Sequence, residues 1–460
     1  MVENMAAAEV AMTMAAEPID EGVDRISGLP DNILGHILSF LPTKNAVGTS
    51  VLSHRWKYLF TLITNFDFDE RDLFSSRGGF RSQYSNGSGT FKILVNRTLM
   101  LCKATKINKF RVKCARDSDC SNVNSWIEFA LLRGVSELSV STHQFESSAL
   151  PRQLFFCETL VVLKLSGRFE IKLHESHILP HLKFLQLKSS SVKFADNCSL
   201  NRLISGCPML EDMVLKGSWE DFSTINISSP TLRSLTLNFR EVFMDGKHRT
   251  NVVLDLPNLL HFKYVDYLAI HYSMNFNSLV DARIDISLDL ENLLEVSEVF
   301  CDSMIELLHG VSSAEHLYLD GKCMEALSCG DQFKLPTFNR LICLIIDWIG
   351  YANWRRVLPE FLHSSPVLDC LVFPGGLLHR ADDDDYDDKY FWGRLRKPPP
   401  CLSTHLKIIF IDKFHGEFDE ELKIAKYLIR KGKVLTKLML GLRMKSEKGC
   451  KEIQKLMKEG

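Results

Sequence analysis

The apolar positions of this chain follow two periods, one helical and one strand-like, and the change between them divides it. In residues 24–64, after Leu29-Pro30, the side chains Ile33, Leu34, Ile37, Leu38 and Leu41 recur on one broad helical face. Pro30 stands where a first-turn proline is tolerated, and Pro42 ends the run. Ala46, Val47, Val51 and Leu52 form a second, weaker stripe, and Arg55, Trp56, Leu59 and Phe60 close a third. Three short helices are therefore predicted within about forty residues. A unit of that size buries only a modest share of its surface. Its surplus apolar side chains point to a partner, so it reads as a docking plug rather than an independent enzyme.

Beyond about residue 100 the pattern becomes an irregular repeat of the form LxxLxL. It appears at Leu160/Leu163/Leu165, Leu182/Leu185/Leu187, Leu210/Met213/Leu215 and Leu232/Leu235/Leu237. Later copies are Leu259/Phe262/Tyr264, Leu279/Ala282/Ile284, Ala314/Leu317/Leu319, Leu341/Leu344/Ile346 and Leu368/Leu371/Phe373. Weaker early members are Ile107/Phe110/Val112 and Val135/Leu138/Val140. Between first positions from Leu160 to Leu368 the steps run from 20 to 35 residues, most of them within or near the roughly 20–29 of leucine-rich repeats.

The last two apolar positions of each unit alternate as on a strand with one buried face. The first lies in the turn that feeds the strand, and the rest of the unit returns over the outside as helix or loop. One unit cannot bury its apolar side alone, whereas a stack makes a continuous core. Prolines (Pro180, Pro208, Pro230, Pro257, Pro336, Pro366) punctuate the repeats where a closed α/β barrel would need regular long helices, so an open solenoid is predicted. Its outward strand residues include Lys164, Lys183, Gln186, Glu211, Val214, Arg233, Thr236, Lys263 and His316. That mixture of signs predicts no ligand class.

Six aspartates crowd residues 381–389, where like charges repel and stay solvated, as in an exposed loop between modules. Residues 398–440 then read as strand–helix–strand: Leu406, Ile408 and Ile411; an amphipathic helix from Asp419 to Ile429 with Leu422, Ala425, Leu428 and Ile429 inward; and Leu435, Leu438 and Leu440. The lysine-rich end after Arg443 reads as a solvated helix.

The segment DRIS-LPD-IL--ILSFLPTK-AV-TSVLS-RWK resembles an F-box of the plant form, with His54 and Phe60 as departures that leave the apolar pattern intact. Residues 398–440 resemble the FBD domain that follows leucine-rich repeats in many plant F-box proteins; CL---LK, F-G, E-EL--YL and VL-K match. Arg430-Lys431-Gly432-Lys433 departs from an asparagine-alanine pair frequent there. The resemblance implies docking on a Skp-type adaptor, through it on a cullin scaffold, and delivery of an unknown target protein for ubiquitination. By the same analogy the adaptor contacts are Leu29, Pro30, Ile33, Leu34, Ile37, Leu38, Val51, Arg55 and Trp56. The alternative is a scaffold, or a co-receptor for a small ligand, that binds the adaptor without driving degradation. The expected fold class is mixed α/β. Its parts are a leader (1–23), a three-helix F-box (24–66), an entry segment (67–99), repeats (100–380), the acidic loop (381–397), an FBD cap (398–440) and the tail (441–460).

Composition narrows the rest. A formal net charge of −2 argues against a nucleic-acid partner. No apolar run approaches the roughly 18–20 residues of a membrane span. The N-terminus has no Lys or Arg before Arg25, so it lacks a secretory signal's positive region and reads as a disordered leader. Thirteen cysteines, an odd number with no CxxC, fit reduced thiols of the nucleus or cytoplasm. There is no P-loop and no GxSxG elbow. Asn86-Gly87-Ser88-Gly89-Thr90 reads as a linker, and the cluster His174, His177 and His181 lacks metal-site spacing. A non-enzyme without a cofactor or metal is expected.

Overall fold

The computed structural model describes residues 26–74, 87–114, 122–143, 148–173, 178–189, 193–194, 199–217, 224–239, 251–287, 297–328, 330, 334–347, 354–377, 397–414 and 419–442. The leader, the cluster at residues 174–177, nearly all of the acidic loop and the tail beyond 442 lie outside these residues. A 14-stranded parallel sheet runs the length of the chain, each strand beside its predecessor, from Asn65–Asp69 at one edge to Lys437–Leu442 at the other. The sheet stays open, as the repeat pattern requires and a barrel would not.

Every strand of this sheet carries the same apolar signature at i, i+3 and i+5. Leu232, Leu235 and Leu237 are buried in the turn and strand Ser234–Asn238, and their counterparts stack above and below them. The early members Ile107/Phe110/Val112 and Val135/Leu138/Val140 are equally buried. Two members go beyond the sequence reading. Ile63, Phe66 and Phe68 form a first repeat that straddles the predicted boundary between helical unit and entry segment. In the last unit the buried set is Leu406, Ile409 and Ile411, so Ile408 lies on the opposite face. Between strands, the residue before each strand also joins the ladder: the amide of Glu211 donates to the Lys183 carbonyl, Arg233 to Glu211, and Leu260 to Arg233. The hydrogen-bonded wall is thus one residue longer than the apolar pattern shows.

The return segments differ along the stack. Helices such as Val123–Leu132, Ser297–Gly310, Trp354–Ser364 and Asp419–Lys431 return the chain near the ends. In the middle, two three-stranded parallel sheets do so instead, one built from Thr224–Ser228, Asn251–Asp255 and His271–Asn275. Ile225, Ile227, Val252 and Leu254 alternate there with a period of two, which fixes strand over helix. Gly87-Ser88-Gly89-Thr90 is a correction to the linker reading: these residues open the helix Gly87–Leu101, whose Phe91, Val95 and Leu99 are buried.

Candidate functional site

The first candidate surface is the N-terminal helical unit. Asp31–Leu38 is a helix started by Pro30, whose position spares it a lost amide bond. Thr43–Gly48 follows, and two tighter turns, Thr49–Val51 and Trp56–Leu62, replace a regular third helix. Gly35 lets the first helix lie against the last turn: a Cβ there would stand 2.8 Å from the Leu62 Cβ.

The nine residues assigned by analogy sort into three groups. Leu34, Leu38 and Trp56 face inward and hold the unit's own core; the Trp56 indole also donates to Ser27 Oγ at 3.0 Å. Arg55 ties the helix start, bonding the Leu29 carbonyl and lying 2.9 Å from Asp31 Oδ1. Leu29 is half-buried beneath it. Pro30, Ile33, Ile37 and Val51 remain on the surface, with Ile33 42%, Ile37 41% and Val51 85% exposed. The same rim includes Phe40, 73% exposed and outside every helical stripe, and Leu52, 64% exposed, which the second stripe contains but the adaptor analogy does not. A run of bulky apolar residues left outward after the core is full was the available signal.

This unit is joined to the sheet by more than the chain. Ser39 Oγ accepts from the Thr64 amide at 3.0 Å, Asn65 Nδ2 donates to the Ser39 carbonyl at 3.1 Å, and Thr43 Oγ1 accepts from the Asp67 amide at 2.7 Å. Asp67 lies in the first strand, so the helices and the solenoid share one edge.

The second candidate surface is the open face of the large sheet. Of the outward residues read from sequence, Lys164, Gln186, Val214, Thr236 and Lys263 occupy one register row. Lys183, Glu211 and Arg233 instead sit in the entry turns, and Lys183 pairs with Glu211 at 2.9 Å. His316 opens its strand and shares Asp281 with His261, at 2.9 and 2.7 Å. The row continues through residues the sequence reading did not reach: Arg283, Tyr318, Ile345, Val372, Phe410 and Met439. Each stands between the last two apolar positions of its repeat, so the repeat itself could have found them. Lys263, Arg283 and Tyr318 border a depression of about 330 Å³. The Arg283 guanidinium lies 3.9 Å from the Tyr318 ring centroid, and the Tyr318 hydroxyl donates to Asp347. Burial and this bond to Asp347 push the Tyr318 phenol up.

Among the described residues, no group of three metal-ligating side chains comes together, and no helix is long and apolar enough to cross a membrane. None of the described cysteines forms a disulfide.

An uncovered apolar rim on short helices, fused to an open parallel-strand solenoid, defines a docking module carrying a recognition surface. Family models agree part by part: an F-box domain over residues 26–66, the leucine-rich repeats of an FBD-associated F-box protein over 123–281, and FBD over 394–440. The chain is 35% identical over 441 residues to the F-box/LRR-repeat protein At3g59200 of Arabidopsis thaliana, covering 91% of this chain and 82% of that one. It is also 35% identical to the F-box/LRR-repeat protein At4g14103 of the same plant, over 78% of this chain and 93% of the relative. The chain belongs to the F-box/LRR-repeat family, whose F-box domains bind Skp1-type adaptors and link them to the ubiquitin pathway.

Proposed function

We propose that this chain is the substrate-recognition subunit of an SCF (Skp–cullin–F-box) ubiquitin ligase. Its F-box docks on the Skp-type adaptor and through it on a cullin, and the open face of the repeats holds a target protein. The observation that carries the reading is the division of labour in the helical unit. Leu34, Leu38 and Trp56 satisfy the internal core, yet Ile33, Ile37, Phe40, Val51 and Leu52 remain outward on the same short segment. Such a rim is costly to leave in water unless a partner covers it. The protein performs no chemistry of its own and acts by raising the local concentration of target lysines at the conjugating enzyme. An odd number of cysteines without a CxxC, none of the described ones in a disulfide, favours the nucleus or cytoplasm as its place of action.

The test is co-expression of the intact chain with a Skp-type adaptor, and of an Ile33→Asp, Ile37→Asp variant. The reading expects co-purification of the first pair and its loss in the second while the variant keeps its thermal unfolding midpoint. A folded intact chain that leaves the adaptor behind refutes it. With the adaptor bound, a target whose half-life does not lengthen on depletion of the chain would favour a scaffold.

A further inference from the structure

The open face is not uniform, and its charges are handled differently along its length. In the first strands each cation is neutralised by a neighbour: Arg111 pairs with Asp67 at 2.8 Å, Lys113 with Asp69 at 2.9 Å, and Lys109 with Glu137 at 3.6 Å. In the middle this changes. The side chains of Lys216 and Lys263 make no ion pair or hydrogen bond among the described residues. Burial first, then the charges of Arg283 and Lys216, push the Lys263 ammonium below its ordinary range, with Asp285 opposing. Lys263 and Arg283 are register partners on adjacent strands, and Lys216 lies two strands from Lys263 in the next row, so the three cations gather in one region of a chain whose formal net charge is −2. Such a cluster is relieved by an anion.

Past Arg283 the same row turns apolar. Tyr318, Ile345, Val372 and Phe410 are successive register partners, all half-buried. Along its margin run Asp285, Asp320 and Asp347, one per strand on adjacent strands. Asp320 accepts from the Cys323 amide, and burial together with the neighbouring Asp285 raises its carboxyl, while Asp347 accepts from the Tyr318 hydroxyl. Neighbouring strands are about 4.8 Å apart, so the four steps from Lys263 to Val372 span about 19 Å, the length of about six extended residues.

We infer that this row is a docking groove for an extended segment of a target protein in which acidic residues adjoin apolar ones. The acidic side chains lie on the register partners Lys263 and Arg283, with Lys216 in the adjacent row two strands away, and the apolar ones on Tyr318, Ile345 and Val372. The inference rests on the proposed receptor role and names the class of target segment that role requires. Charge complementarity selects the acidic end, and the neighbouring half-buried apolar row selects what adjoins it.

The test uses the full chain purified with its Skp-type adaptor and a fluorescein-labelled peptide in which a run of glutamates is followed by leucine and phenylalanine. Fluorescence polarisation is expected to show saturable binding that weakens as salt is raised. Lys216→Glu with Lys263→Glu should weaken it by about tenfold or more, and a peptide with lysines in place of the glutamates should bind that variant better than it binds the intact chain. Ile345→Asp should weaken the original peptide too. Each variant is read beside its thermal midpoint and its retained adaptor, and Lys263→Gln replaces any that has lost either. Four results would each overturn the inference: no binding by the adaptor-loaded intact chain, equal binding of an all-glutamate peptide, equal binding by the charge-reversed variant, or tighter binding of a single-stranded RNA of the same length. Adaptor loss from the intact chain would instead strike the receptor reading, and peptide binding would be scored separately.

Discussion

Val51→Asp and Leu34→Ala form a pair whose consequences should be opposite. Val51 is 85% exposed and contributes almost nothing to the folded chain's own core. Covering a side chain of its type completely stabilises by about 1.5–3 kcal/mol, so covering the exposed fraction against an adaptor contributes about 1.3–2.5 kcal/mol. Replacing it with a carboxylate forfeits that and adds the cost of desolvating a charge, so adaptor affinity should fall by at least about ten- to seventyfold. The unfolding midpoint should hardly move, because surface substitutions stay within about 0.5 kcal/mol. Leu34 is 0% exposed, packed beneath the same helix. Truncating it leaves a cavity and costs about 2–5 kcal/mol of stability, whatever the adaptor does. Calorimetric titration with purified adaptor reads the first quantity and denaturant unfolding the second. If Val51→Asp lowered stability as much as Leu34→Ala, or left the adaptor affinity unchanged, the assignment of the two faces would be wrong.

Three further outcomes follow from the sheet. Leu235→Ala, in a central repeat where the side chain is 1% exposed, should cost about 2–5 kcal/mol by denaturant unfolding; a loss under about 1 kcal/mol would mean that the stack collapses around the gap. Burial pushes the Asp266 carboxyl up to about 7, against the bond it accepts from the Tyr267 amide. A carboxyl raised in the folded state holds its proton there after the unfolded chain has lost it. Its contribution is therefore complete below the unfolded value of about 4 and is lost as pH rises through about 7. Asp266→Asn should accordingly show a smaller fall in midpoint than the parent between pH 5 and 8 by scanning fluorimetry, and parallel curves would count against the burial. Finally, Cys343 and Cys370 are register partners on adjacent strands. The Cys343 thiol bonds the Cys370 sulfur and lowers the Cys370 thiol, while burial pushes Cys207 up to about 12. Iodoacetamide near neutral pH should label Cys370 well before Cys207, and Cys343→Ala should slow that labelling; equal rates at both sites would contradict the pairing.

The apolar period reveals most of this architecture because a solenoid repeats one packing problem. Each unit must bury i, i+3 and i+5 against its neighbours, so the sequence carries the same signature wherever the sheet continues. Where structure and period part, a local cue in the sequence outweighs the repeat. Ile63/Phe66/Phe68 follows directly on the helical stripe Arg55/Trp56/Leu59/Phe60, and the boundary between helical unit and entry segment cuts through it. In the last unit Ile408, Ile409 and Ile411 are all apolar, so composition could not tell which face Ile408 took. The glycines near residue 88 suggested a linker, yet Phe91, Val95 and Leu99 downstream carried a buried helical face that outweighs two glycines. The helical unit shows a different limit. Periodicity finds the helix but cannot say which of its apolar residues the small core has room for. Leu34 and Leu38 go in, while Ile33 and Ile37 stay out, because the last turn packs on Gly35 from one side.

The join between the two surfaces bears on the proposed role. A receptor that works by proximity gains most when the target is held at a fixed distance from the adaptor, since a loose tether dilutes the effective concentration it creates. Here the first strand begins at Asn65, three residues after the last turn of the helical unit ends at Leu62. Ser39 and Thr43 bond the backbone of that junction directly, and Ile63 and Phe66 extend the core across it. From that first strand to the one bearing Lys263 the sheet runs without interruption through seven strand spacings, about 34 Å. Each spacing is fixed by a ladder of backbone hydrogen bonds and a shared apolar layer. The groove inferred on Lys263 and Arg283 is therefore carried on the same continuous sheet whose first edge the helical unit bonds. A solenoid suits this task because lengthening the stack moves the recognition row farther from the adaptor without introducing a hinge.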